Sequence, residues 1–136
     1  MTEDCKFALT ETTLGIPPAQ IAPFVAQRIG LAKARRIMLT AARFTGKEAF
    51  EMGLADFIAK DANDLKNIES DIIKGVMNCA PGANAITKEI VLATRHLERS
   101  EMIDFAAKGF AERMLSDEGR EGIASFIEKR KPKWSK

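Results

Sequence analysis

The stretch Phe7 to Phe24, FALTETTLGIPPAQIAPF, holds the only concentrated site chemistry in this chain. Phe7, Ala8 and Leu9 read as a short buried strand. Gly15 then closes a polar run by tolerating backbone angles that other residues avoid. Pro17-Pro18 reads as the opening of a helix, where a missing N–H costs nothing. On that reading the amides of Ala19 and Gln20 are free donors at the positive end of a helix dipole. A turn that returns the upstream Glu11 to those donors gives a proton-transfer geometry, with a carboxylate and an N–H sharing one water or polar substrate atom. Taken residue by residue, the same Glu11 also fits a solvated side chain between threonines.

Downstream, the pattern is helical. Ile21, Phe24, Val25 and Ile29 form one apolar face up to Gly30, with Pro23 as a kink or a late start. Leu31 to Ala42 predicts a second helix whose Lys33, Arg35 and Arg36 read as a solvated basic face. Thr45-Gly-Lys-Glu48 is a capping box for a short helix that Gly53 stops, and Leu54 to Ile58 reads as extended. Asp61 to Ala80 predicts the longest helix, with Leu65, Ile68, Ile72 and Val76 on one buried face and Asp61 or Asn63 as cap. Pro81-Gly82 breaks the chain before a helix over Asn84 to Leu97. Ser100 is positioned to cap another to Leu115, apolar over so much of its surface that it calls for neighbours on two sides. Ser116 to Gly122 reads as a turn and acidic helix start, and Pro132 ends the last helix.

Composition narrows the function classes. With 46% hydrophobic residues and a formal net charge of +2 over 136 residues, the chain is a globular composition with one modest core. Near-balanced charge and the absence of tyrosine argue against nucleic acid as a partner. Cys5, Cys79 and the lone His96 show no ligand spacing, so neither a metal site nor a disulfide is expected. No apolar run is long enough to span a membrane. MTEDCKF lacks the basic and apolar parts of a signal peptide, so a cytoplasmic location is expected.

Three segments resemble one family. F-x-x-x-E-x-x-L-G-x-x-P, met by Phe7, Glu11, Leu14, Gly15 and Pro18, is similar to the active-site segment of the crotonase (enoyl-CoA hydratase/isomerase) family. RFTGKEAFEMGLAD resembles that family's R-x-x-x-x-E-A-x-x-x-G-L-V-D segment, which is structural. EGIASFIEKRKPKW, Glu121 to Trp134, resembles its terminal E-G-x-x-A-F-x-E-K-R-x-P-x-W. The resemblance implies Glu11 as the acid/base that moves a proton at the alpha/beta carbons of an acyl-CoA, with the Ala19 N–H as a ligand of the reacting water. It also implies that Phe126 and Lys129, three apart and so on one side of a helix, contact the adenine and phosphates of CoA. Without the family, Phe126 reads as core and Lys129 as part of a basic tail. Many family members have glycine at Ala19 and a G-G-T run after it. PPAQIAPF instead looks like the branch that hydrates methylglutaconyl- or isohexenylglutaconyl-CoA.

The implied fold is mainly α: the C-terminal helical half of a crotonase (ClpP/crotonase-like α/β) spiral with one or two short extended segments. Residues 1–59 would end the spiral core and 60–136 form the helical trimerisation region. The implied activity is reversible addition of water to a 2-enoyl-CoA, the CoA thioester being substrate and no cofactor being required. The expected assembly is a homo-oligomer, trimer or hexamer. The family's oxyanion hole and the second glutamate of its hydratases belong to a preceding half, so this chain is expected to be a truncated, poorly active piece. An enoyl-CoA isomerase of the same family, and a non-catalytic oligomerisation or CoA-binding fragment, are the alternatives.

Overall fold

In the computed structural model, which describes residues 1–135, helices carry most of the chain. In order they are β1 (Lys6–Ala8), a single 3-10 turn (Glu11–Leu14), α1 (Ala22–Ile29), α2 (Leu31–Leu39), β2 (Arg43–Thr45), α3 (Gly46–Met52), α4 (Ala62–Met77), α5 (Pro81–Ala93), α6 (Arg99–Leu115) and α7 (Asp117–Ile127). The contacts divide the chain into two units, Met1–Ser70 and Asp71–Lys136, with the division falling inside α4.

The first unit is built on α2. Ile37, 1% exposed, packs with Leu9, Met38, Phe44 and Ala49, and Phe7, Val25, Ile29 and Leu54 close around them. Burying a side chain of isoleucine size contributes about 1.5–3 kcal/mol, so this cluster dominates the unit's stability. β1 and β2 pair antiparallel with Phe7 opposite Phe44, and the two rings stack with centroids 5.4 Å apart. The strand expected at Phe7 is present as Lys6–Ala8, without Leu9, and it is not buried: Lys6 and Ala8 are exposed and Phe7 is half-buried. Leu54 to Ile58 is not a strand, and the second strand is instead Arg43–Thr45. Leu54 is drawn back against α3, its N–H donating to Ala49 O at 2.9 Å.

The capping box forms as its spacing requires: Glu48 N–H donates to Thr45 Oγ1 at 3.3 Å and Thr45 N–H to Glu48 Oε2 at 2.7 Å. Gly46, at the head of α3, lies so close to the chain's first residues that a Cβ there would collide with the Thr2 carbonyl. The close approach is held by Gly46 N–H donating to Cys5 O at 2.7 Å and Lys47 N–H to Glu3 O at 3.2 Å.

In the second unit, α5 and α6 pack where Gly109 admits Ile86 and Ile90. Pro81 occupies the first turn of α5 rather than breaking the chain before it, because the first helical position needs no N–H. Glu118 of α7 accepts the Gly82 N–H at 2.9 Å, placing a carboxylate on the positive end of α5. Ser100 lies inside α6. Its cap is Glu98, in a capping box with Glu101, which satisfies the same orphan N–H groups two residues earlier. Ser116 caps α7, accepting from Gly119 N–H at 3.1 Å.

The face predicted to be buried on α4 is open. Ile72 and Val76 are exposed, and no residue of that helix is buried. Phe110, Ile103 and Leu115 of α6 are exposed as well.

Candidate functional site

Glu11 opens the 3-10 turn, and backbone bonds on both sides of it hold the turn. Thr13 N–H and hydroxyl both donate to Thr10 O, at 3.0 and 2.7 Å, and Ile16 N–H donates to Glu11 O at 3.3 Å. Gly15 ends the turn at φ 74°, a left-handed conformation that favours glycine. The turn is fastened to the core from both sides. Leu9 N–H donates to Ala42 O at 3.0 Å, and Thr12 Oγ1 donates to Met38 O at 3.1 Å. The partner of Thr12 lies on a separate helix, so no local pattern reveals the bond.

The Glu11 side chain is turned inward. Glu11 lines a cleft of about 250 Å³ with Pro17, Pro18, Ala19, Gln20 and Ile21, and it is the only titratable side chain in that lining. Its Oε2 is buried and has no hydrogen-bond partner among the described residues. Buried acceptors in native proteins are nearly all paired, so an unpaired one in a cleft is open to a donor from outside the chain, such as a water or a substrate atom.

The far wall of this cleft differs from the expectation. Pro17-Pro18 does not open a helix. α1 begins at Ala22, with Pro23 in its first turn, so the late start allowed by Pro23 is the one realised. Residues 17–21 form a tight turn in which Ala19 N–H donates to Pro17 O at 2.8 Å and Ala22 N–H to Pro18 O at 2.9 Å. Ala19 therefore lies in the cleft with Glu11, but its amide already has an acceptor and is not the free donor expected. α1 is held in place from its other end, where Arg28 donates to Leu54 O at 3.2 Å and to Asp56 at 2.6 Å.

Phe126 and Lys129 lie in the second unit, at the end of α7. Phe126 is 85% exposed, so it is not the core residue that the tail alone allows. Lys129 is not on the helix. α7 stops at Ile127, and Lys129 takes a left-handed conformation, φ 53°. Lys129 N–H donates to Phe126 O at 3.3 Å and Arg130 N–H to Ser125 O at 3.0 Å, the paired bonds of a Schellman ending. The two residues are thus linked by the backbone bonds of a helix cap, not by helical spacing.

The rest of the tail folds back. Arg130 grips Glu121 with two nitrogens, at 2.6 and 3.1 Å, and Lys133 N–H donates to the same carboxylate at 3.0 Å. Arg130 foremost holds the Glu121 carboxyl below its ordinary range. Trp134 Nε1 donates to Asn78 O at 3.2 Å, and its ring lies over Gly122, where a Cβ would come within 3.3 Å. Glu121, Gly122, Arg130 and Trp134 all belong to the terminal motif, and here they make one latch. Among the described residues no cluster of His, Cys, Asp and Glu could hold a metal ion. No helix of the described residues is long and apolar enough to cross a membrane.

The chain is similar to known proteins over nearly its whole length. The solved structure of Pseudomonas aeruginosa AtuE superposes with a TM-score of 0.94 at 48% identity, over 99% of this chain and 52% of that one. An enoyl-CoA hydratase/isomerase from Marinobacter aquaeolei follows at 0.93 and 39%, over 99% of this chain and 51% of that one. The peroxisomal Delta(3,5)-Delta(2,4)-dienoyl-CoA isomerase of Arabidopsis thaliana is 30% identical over 99% of this chain and 49% of its own length. The chain spans about half the length of the curated relatives it matches. Residues 1–136 match the family model described as enoyl-CoA hydratase/isomerase. The chain therefore belongs to the enoyl-CoA hydratase/isomerase family.

Proposed function

We propose that this chain supplies the proton-transfer carboxylate and the CoA-holding tail of an acyl-CoA hydratase, which adds water reversibly to a 2-enoyl-CoA. Glu11 is the catalytic acid/base. As a carboxylate it takes a proton from the attacking water, and as the acid it returns one to the alpha carbon. Ala19 forms the opposite wall, and its N–H serves as a water ligand by sharing the bond it makes to Pro17 O. Phe126 offers an exposed ring to an adenine, and Lys129 an ammonium to a phosphate. Each acts within one protomer or toward a neighbour of a trimer or hexamer, whose contacts would cover the exposed faces of α4 and α6. The segment PPAQIAPF supports a branched glutaconyl-CoA thioester as the acyl group.

The observation that carries this reading is the buried, unpartnered Glu11 Oε2 in the cleft of residues 17–21. Hydration of a 2-enoyl-CoA, followed by loss of the conjugated-enoyl absorbance, is the direct test. Glu11→Gln is expected to lower turnover by about 10²- to 10⁴-fold, and unchanged turnover would remove the assignment. No measurable hydration by the wild-type chain would leave the oligomerisation or CoA-binding fragment as its role.

A second reading is enoyl-CoA isomerisation, with which Glu11 is compatible as the one titratable group that the described residues bring to the cleft. One carboxylate suffices to carry a proton from one carbon to another. Incorporation of solvent oxygen into product separates the two, since an isomerase incorporates none.

A further inference from the structure

We infer that Glu121 and Arg130 are positioning residues for CoA, a latch that keeps Lys129 in its left-handed turn so that its ammonium and the Phe126 ring are presented together. The inference rests on the reading of Phe126 and Lys129 as CoA contacts and adds what holds them there. A lysine at φ 53° is strained. An L-residue in that region is disfavoured relative to a right-handed one because its Cβ crowds the following carbonyl. A helix end relaxes such strain by unwinding unless something beyond it prevents this.

Here the residue directly after Lys129 is the one that is locked. Arg130 donates twice to Glu121, one helical face back on α7, and its Nε reaches Glu128 at 2.5 Å. Its backbone N–H is bonded to Ser125 O. Glu121 is the anchor of this arrangement. Its side chain is 14% exposed, and it also takes the Lys133 N–H. Phe126, by contrast, stacks on no other ring among the described residues and stands open. A latch that consumes one arginine, one half-buried carboxylate and the tail backbone, yet pairs neither the exposed Phe126 ring nor the Lys129 ammonium among the described residues, fits presentation of those two groups to a ligand with an aromatic and an anionic part.

Three measurements on the full chain decide it: coenzyme A titration by calorimetry, thermal midpoints, and the HN–Hα coupling and Cα shift of Lys129, which report φ. The variants are Glu121→Ala, Glu121→Gln and Arg130→Lys, each with and without Lys129→Gly. In the wild-type background Lys129→Gly is expected to raise the midpoint by about 3 °C by relieving the turn, while weakening coenzyme A about tenfold. Glu121→Ala is expected to abolish the positive-φ signature at Lys129, remove the gain from Lys129→Gly, and weaken coenzyme A by a similar factor. Glu121→Gln, which keeps an acceptor for Arg130, is expected to restore part of that affinity. If wild type binds coenzyme A and the folded latch variants bind it equally well, the inference fails and the Phe126 and Lys129 reading stands. If wild type does not bind coenzyme A, that reading fails and the latch falls with it.

Discussion

Ala41 sits at φ 51°, a left-handed alanine between α2 and β2, and replacing it with glycine is expected to stabilise the protein. The turn is a Schellman ending in which Ala41 N–H donates to Met38 O at 3.3 Å and Ala42 N–H to Ile37 O at 2.9 Å. The same Ala42 carries the carbonyl that accepts Leu9 N–H, so the turn is pinned by the strand leading to Glu11 and has no freedom to relax. Two effects oppose each other in Ala41→Gly. Relieving the left-handed strain gains about 1–2 kcal/mol, whereas the extra freedom of glycine in the unfolded chain costs about 0.4–1 kcal/mol. Strain wins by about 0.5–1 kcal/mol. With a urea m-value of about 1.5 kcal/mol/M, that moves the midpoint up by about 0.5 M. Urea titration followed by far-UV circular dichroism reads it, with an unchanged m-value showing that the unfolded ensemble is the same. Ala41→Val is the counterpart and should lower the midpoint, since a β-branched residue tolerates positive φ least. A neutral or destabilising Ala41→Gly would refute the strain argument at this turn.

Other outcomes follow from the same geometry. Ile37→Ala should cost about 2–5 kcal/mol, because Ile37 is the largest fully buried side chain, and a loss below 1 kcal/mol in the same titration would contradict the described core. Thr12→Val removes the hydroxyl that ties the Glu11 turn to Met38 O and should cost about 1 kcal/mol. It should also lower turnover without changing coenzyme A affinity, and unaltered turnover would show the tie to be dispensable. Glu121 has its folded pKa depressed, so its stabilisation is complete above the unfolded value of about 4.3 and is lost as pH falls through the lower folded value. Trp134, the only tryptophan, reports this directly. Its emission should hold steady at neutral pH and change below about pH 4 as the tail leaves Gly122, and a transition near pH 6 would point to a different group. Gly122→Ala should shift the same emission at neutral pH, because a Cβ there crowds the indole.

Short-range chemistry was legible in the residues themselves. Thr45 with Glu48, Gly53 after Met52, and Ser116 before α7 work over a turn or less, so the sequence contains both partners of each interaction. The family was legible for the same reason, since its motifs are contiguous. Contacts between distant segments were not. Arg43–Thr45 becomes a strand only because Lys6–Ala8 lies beside it, and the Leu54 segment loses its extended form to a bond with Ala49. Two prolines, Pro18 and Pro23, each fit a helix start. The turn bonded from Ala22 to Pro18 decided for the second, and in doing so engaged the Ala19 amide with Pro17. Periodicity on α4 defines an apolar face without saying whether anything covers it. Lys129 shows the division most plainly. The sequence places it three residues after Phe126, but the side of the chain on which its ammonium emerges depends on a left-handed angle that no residue preference would select. That angle comes with the helix-ending bonds from Lys129 N–H to Phe126 O and Arg130 N–H to Ser125 O, and Arg130 folds back onto Glu121 directly after it.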